Sequence, residues 1–195
     1  TYARIRHVLI SSKDYLIAQL TGECVGDVAA CSTAGAMNIR NGQWDAELCE
    51  VAEIDMTILP HLHNPQDNIG TVTESAAQRT GFSAGTAVYA GIGDAGATTL
   101  ASGVSHPGQY NINIGTSGWI ATVSPEPFTD KPGAANLAFG VEEGFVNAVP
   151  FLNAGDVHKW VTGVFSDGDY AEAHQLIETS KPGSNGVLCL PYLVG

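Results

Sequence analysis

The sequence predicts an α/β protein, and three observations carry the prediction. Short β-rich runs alternate with helix-spaced segments along the chain. Small turn residues punctuate nearly every change of pattern. An apolar fraction of 44% over 195 residues is enough to bury a real core.

The elements follow in order. Apolar residues at Ile5, Val8, Leu9, Leu16 and Leu20 fall at helical spacing, and Thr21-Gly22 stops the run, so a helix is expected over Ile5–Leu20. "GDVAACSTAGAMNIRNGQWD" is rich in small residues. It reads as a tight buried segment with a short strand at Ala36–Ile39 and a turn at Asn41-Gly42. "DAELCEVAEI" reads as a helix with Asp45 as N-cap, and "TESAAQRTG" as another between Thr73 and Gly81. The intervening "DMTILPHLHNPQDNIG", with two prolines, reads as a loop. "TAVYAGIG" has β character and delivers the chain to Asp94, after which "AGATTLASG" suits a short helix of small residues. "GQYNINIGTSGWIATVS" is the clearest hairpin, "SPEPFTDKPG" a surface loop and "GFVNAVP" a strand. "NAGDVHKWVTGVF" begins like a capped helix, "YAEAHQLIETS" is another helix, and "NGVLCLPYLVG" closes on a buried strand.

Charge narrows the function classes. Twenty acids against 8 Lys plus Arg give a net charge of −12. Nucleic acid requires a basic patch to displace counterions, and an anionic membrane surface requires one too, so neither partner is expected. A small anionic ligand held by backbone amides and a metal ion remains compatible. Cys24, Cys31, Cys49 and Cys189 show no CxxC pairing and are expected as reduced thiols of a cytoplasmic protein. No apolar run approaches membrane-spanning length. The chain starts without Met or a signal peptide and ends on an apolar run, so an excerpt of a longer chain is expected.

Two features could carry chemistry. In "NIGTSGW", two glycines bracket Thr116 and Ser117 at a hairpin tip, where successive N–H groups and two hydroxyls can face a phosphate oxygen. An ordinary glycine hairpin explains the same residues. The segment is neither a Walker loop nor a GxSxG elbow. Asp94, flanked by glycines at the end of a β-rich run, sits where α/β sheets bind ligands. It suits a general base or a Mg²⁺ ligand, and equally a cap for the helix that follows. His61 and His63 read as solvated loop residues, Asp27 as a turn cap, Lys159 as a surface lysine and Trp160 as a core residue.

Together these pieces resemble the FGGY carbohydrate kinases. "KDYLIAQLTG", "GDVAACSTAGAMN" and "QWD" follow the family's order, "NIGTVTESAAQRTGFSAGTAVYAGIGDAGA" is similar to the segment ending in its Gly-Asp, and "GQYNINIGTSG" is similar to its phosphate hairpin. "NAGDVHKW" and "GSNGVLCLPYLVG" match two later landmarks. The resemblance implies an actin-like ATPase (ribonuclease-H-like) two-domain fold with both domains incomplete. Residues 1–103 would be the end of the sugar-binding domain and 104–195 the start of the ATP-binding domain. It implies ATP-dependent phosphorylation of a sugar hydroxyl, D-xylulose or a similar ketose first and gluconate second, with ATP and Mg²⁺ and with room for a homodimer. Asp94 would be the catalytic base and would meet Mg²⁺ through ATP. Gly115, Thr116, Ser117, Gly155 and Lys159 would contact nucleotide, though relatives often carry Gln at the position of Lys159. Ala95 departs from the Gln or Asn that many members place after the base. A silent actin-like nucleotide- or sugar-binding module is the alternative of another class, and a serine hydrolase using Ser117 a third.

Overall fold

The computed structural model describes residues 2–151 and 153–193. Helices and short strands alternate through it, as the α/β reading requires. Helix α1 (Ser12–Thr21) begins at a reciprocal cap: Lys13 N–H donates to the Ser11 hydroxyl and Ser11 N–H donates to Asp14 Oδ2. It ends at Gly22, whose φ of 87° is the left-handed geometry that glycine tolerates. The expected start at Ile5 is therefore too early. Residues 5–10 are irregular, because the cap, and not the apolar spacing, fixes where the helix begins.

Strand β1 (Val25–Asp27) is wholly buried and runs into helix α2 (Val28–Cys31), which Asp27 caps by accepting from the N–H groups of Ala29 and Ala30 at 3.0 Å each. Strands β2 (Met37–Asn38) and β3 (Gln43–Trp44) form a hairpin across the Asn41-Gly42 turn. Helix α3 (Ala46–Val51) has Asp45 as its cap. The "loop" that follows holds two strands, β4 (His61–His63) and β5 (Asn68–Thr71). β4 pairs parallel with β1, Gly26 opposite Leu62, so His61 and His63 are strand residues and not loop residues. Turn-forming prolines bracket this short strand and hide it from a composition reading, while long-range pairing with β1 creates it. Helix α4 (Glu74–Thr80) lies between Thr73 and Gly81 as expected, and strand β6 (Ala87–Tyr89) pairs antiparallel with β5. Helix α5 (Asp94–Ala101) follows directly.

Strands β7 (Tyr110–Ile114) and β8 (Gly118–Ser124) flank the Gly115–Ser117 tip. With β9 (Ala135–Ala138), which the sequence reading did not anticipate, and β10 (Phe145–Phe151), they form a sheet in the order β7-β8-β10-β9. Helices α6 (Gly155–Phe165) and α7 (Tyr170–Thr179) come last. The expected closing strand is absent among the described residues: 187–193 hold no regular element, and Val187, Leu188 and Leu190 are exposed. The last two residues of that expected strand lie outside the described residues. Trp160, expected in the core, is half exposed.

Two compact units divide the described residues. One comprises residues up to 111 together with 121–148; the other comprises 112–120 and the residues from 149 onward. In the first, Val28, Cys31, Met37 and Ala138 form a buried cluster against which Ile10, Ile39, Trp44 and Leu62 pack. Ser32 ties α2 to β9 by accepting from the Ala138 N–H at 2.9 Å. In the second, α6 and α7 meet through an edge-on contact of the His158 and Tyr170 rings, 5.4 Å between centroids.

Candidate functional site

Asp94 lies in the first unit, at the first position of α5. The cap position belongs to Gly93, which has no side chain to offer, so Asp94 is not the N-cap that the sequence allowed. Its carboxylate is exposed, and Oδ1 accepts from the Ala95 N–H at 2.8 Å. It borders a cavity of about 510 Å³ together with Ser11, Ser12, Lys13, Thr33 and Ala95. Small residues let the neighbouring backbone come close. A Cβ at Gly93 would lie 3.2 Å from Ala30 Cβ, and one at Gly96 would overlap the Ile92 side chain. Gly93 and Gly96 are small because Ala30 of α2 and the Ile92 side chain, respectively, crowd them.

Beneath the cavity lies a charge cluster that the sequence reading did not select. Lys13 Nζ is 2.6 Å from Asp14 Oδ1 and 2.7 Å from Asp27 Oδ2, and both carboxylates are fully buried. The Asp27 contact is close but not aligned as a hydrogen bond, so it is a charge pairing, whereas Asp14 accepts a true hydrogen bond. Lys13 also donates to the Ala90 carbonyl at 3.0 Å. Burial pulls the Lys13 ammonium down, but the two carboxylates outweigh it and hold its pKa above the usual lysine value. Cys31 lies beside the cluster, and burial, then the charges of Asp14 and Asp27, push its thiol up to about 12. "KDYL" displayed Lys13 and Asp14 openly. Nothing local indicated that Asp27, thirteen residues on, would share the same lysine.

The second unit holds the other five expected residues, Gly115, Thr116, Ser117, Gly155 and Lys159. Gly115, Thr116 and Ser117 are exposed at the hairpin tip, where Gly115 N–H donates to Ser117 O at 2.8 Å. The tip carbonyls face the start of α6: Gly155 N–H donates to Gly115 O at 2.8 Å, and Ala154 N–H donates to Thr116 O at 3.0 Å. The cap expected for α6 is thus supplied by hairpin carbonyls and not by a side chain. A Cβ at Gly155 would lie 2.5 Å from Gly115 O, which explains the glycine. Among the described residues, the N–H groups of Thr116 and Ser117 and both hydroxyls have no protein partner. Lys159 is exposed one turn beyond Gly155 and borders a cavity of about 490 Å³ with Asn153, Asp156 and Trp160.

No group of three or more His, Cys, Asp or Glu side chains gathers in a metal-binding arrangement among the described residues.

The profile of the FGGY family of carbohydrate kinases, N-terminal domain, matches residues 1–101. The chain belongs to that family. It is 28% identical over 197 residues to a gluconokinase of Bacillus subtilis, covering 95% of this chain and 38% of that protein. It is 29% identical over 196 residues to a xylulose kinase of Lactococcus lactis, covering 100% of this chain and 39% of that protein. The solved xylulose kinase of Rhodospirillum rubrum superposes with a TM-score of 0.84 at 28% identity, covering 99% of this chain and 40% of that one. The FGGY chain described here thus spans about two-fifths of the length of these relatives, and it carries that part of their actin-like fold. Among the described residues, no helix is long and apolar enough to cross a membrane.

Proposed function

We propose that this chain is part of an ATP-dependent sugar kinase in which Asp94 is the general base. One observation carries the reading: the Asp94 carboxylate, with only Oδ1 engaged by the Ala95 N–H, is exposed at a cavity lined by the hydroxyl residues Ser11, Ser12 and Thr33. Its second oxygen can accept the proton of a sugar hydroxyl as that oxygen attacks phosphorus. ATP with Mg²⁺ supplies the transferable phosphoryl group and neutralises its charge. The unpartnered N–H groups of Thr116 and Ser117 suit phosphate oxygens, since preorganised donors stabilise charge without reorganising. Gly155 holds that tip against α6, and Lys159 lies within reach of a nucleotide bound along the same helix face. The family match ending at residue 101 supports a domain junction near residue 103, with the sugar side before it and the ATP side after it, although the compact units divide after residue 111 and return 121–148 to the first. Free cysteines, Cys189 exposed among them, support a cytoplasmic setting.

The charges around the cavity favour a neutral ketose such as D-xylulose over an aldonate. Lys13 is the only cation among the lining residues, and two buried carboxylates already engage it. Asp94 adds a negative charge that would repel a gluconate carboxylate. Gluconate remains the second reading because a gluconokinase is among the similar proteins.

Replacing Asp94 with Asn keeps the shape and removes the base. In the full-length protein, sugar-dependent turnover should fall by about 10²–10⁴-fold while ATP binding persists. Turnover within a few-fold of the parent would remove Asp94 from the role.

A further inference from the structure

Lys13 borders the cavity beside Asp94, and its cluster also grips both segments that set the position of Asp94. Lys13 donates to the carbonyl of Ala90, the residue after β6, and its aliphatic stem runs beside Gly91, where a Cβ would lie 3.8 Å from Lys13 Cδ. Backbone bonds hold the same two residues from the other side: Ala90 N–H donates to Asp67 O at 3.0 Å and Gly91 N–H to Pro65 O at 2.9 Å. Two residues later, Gly93 rests on Ala30, whose N–H donates to Asp27 Oδ1. Gly93 O then accepts from Ala97 N–H at 2.9 Å and starts α5. One ammonium therefore links the end of the approach strand, the cap of α1 through Asp14 and the cap of α2 through Asp27.

We infer that Lys13 and Asp27 are positioning residues for Asp94, fixing the height at which its carboxylate enters the cavity. The inference rests on the base assignment made above. The chemistry requires a cation there: without it, two fully buried carboxylates face each other with no counter-charge, and the Ala90 carbonyl loses its donor. The strand end and α2 then relax apart, and Asp94, anchored only to Ala95 N–H by its side chain, moves with Gly93. A displacement near 1 Å at a reacting group costs about 10²-fold in rate.

The test uses the full-length protein, with kcat, the KM for sugar and the stoichiometry of nucleotide binding measured for Lys13→Met, Asp27→Asn and Asp94→Asn. Asp27→Asn keeps the oxygen that caps α2 but removes the charge facing Lys13, so it carries the test if Lys13→Met does not fold. Lys13→Met and Asp27→Asn should each lower kcat by about 10²-fold. In Asp27→Asn, whose buried side chain does not line the cavity, sugar KM and binding stoichiometry should stay within about threefold of the parent, whereas Lys13→Met also alters the cavity lining and is read on kcat and stoichiometry alone. A parental kcat in the folded variants would overturn the inference. So would a stoichiometry that falls in step with kcat, because that marks a loss of folded protein and not a misplaced base. Parental turnover in Asp94→Asn would strike the base assignment instead, so the two failures are distinguishable.

Discussion

Cys31 and Lys13 share one buried neighbourhood and make a prediction about alkaline pH. The folded Cys31 thiol titrates near 12, against an ordinary value of 9.0, and the folded Lys13 ammonium also titrates above its ordinary value of 10.5. Both folded groups hold protons that the unfolded chain releases earlier. Their stabilising contribution is therefore complete below about pH 9 and is lost as the pH rises through the folded values. Denaturant midpoints measured from pH 7 to 11 should stay level and then fall above about 9, and Cys31→Ala should flatten the first part of that fall. An unchanged slope in Cys31→Ala would contradict the burial argument. The same residue should resist maleimide in the native protein while exposed Cys189 reacts.

Among the elements, α6 and the hairpin tip depend most on a single contact. Gly155 is the first residue of α6, where alanine would ordinarily favour a helix over glycine. Here a Cβ would press on Gly115 O, so Gly155→Ala should destabilise by about 1–3 kcal/mol and weaken nucleotide binding. A variant as stable as the parent would show that the tip and helix do not depend on this approach. The elements also mark what a sequence reveals. Helices α3 and α4 were legible because their caps Asp45, Thr73 and Gly81 are local signals. The β7–β8 hairpin was legible because its strands are adjacent in sequence. Strand β4 was not, since it exists through parallel pairing with β1 more than thirty residues earlier. The end of the chain erred the other way: β-prone residues at 187–193 form no strand, because strand propensity yields a strand only where a partner pairs with it.

Across the whole molecule, the candidate site was legible in part. Asp94 stood out by its glycines and its place after a β-rich run, but sequence left it balanced between cap and base. The backbone gives the N-cap position to Gly93, while Asp94 Oδ1 still accepts from the Ala95 N–H in the first turn. The tip residues and Gly155 were legible as separate motifs, and their mutual hydrogen bonds were not, because a carbonyl-capped helix leaves no side-chain signature. The Lys13–Asp14–Asp27 cluster was the least legible, since burial and ion pairing arise only from the packing of α1 on β1. The central claim, phosphoryl transfer from ATP to a neutral sugar, is tested most directly by coupled ADP release from the full-length protein with Mg²⁺. The assay would run against ketoses, aldonates and polyols. The account predicts release stimulated by a ketose, D-xylulose foremost, above the rate with gluconate. Release that no sugar stimulates would contradict it.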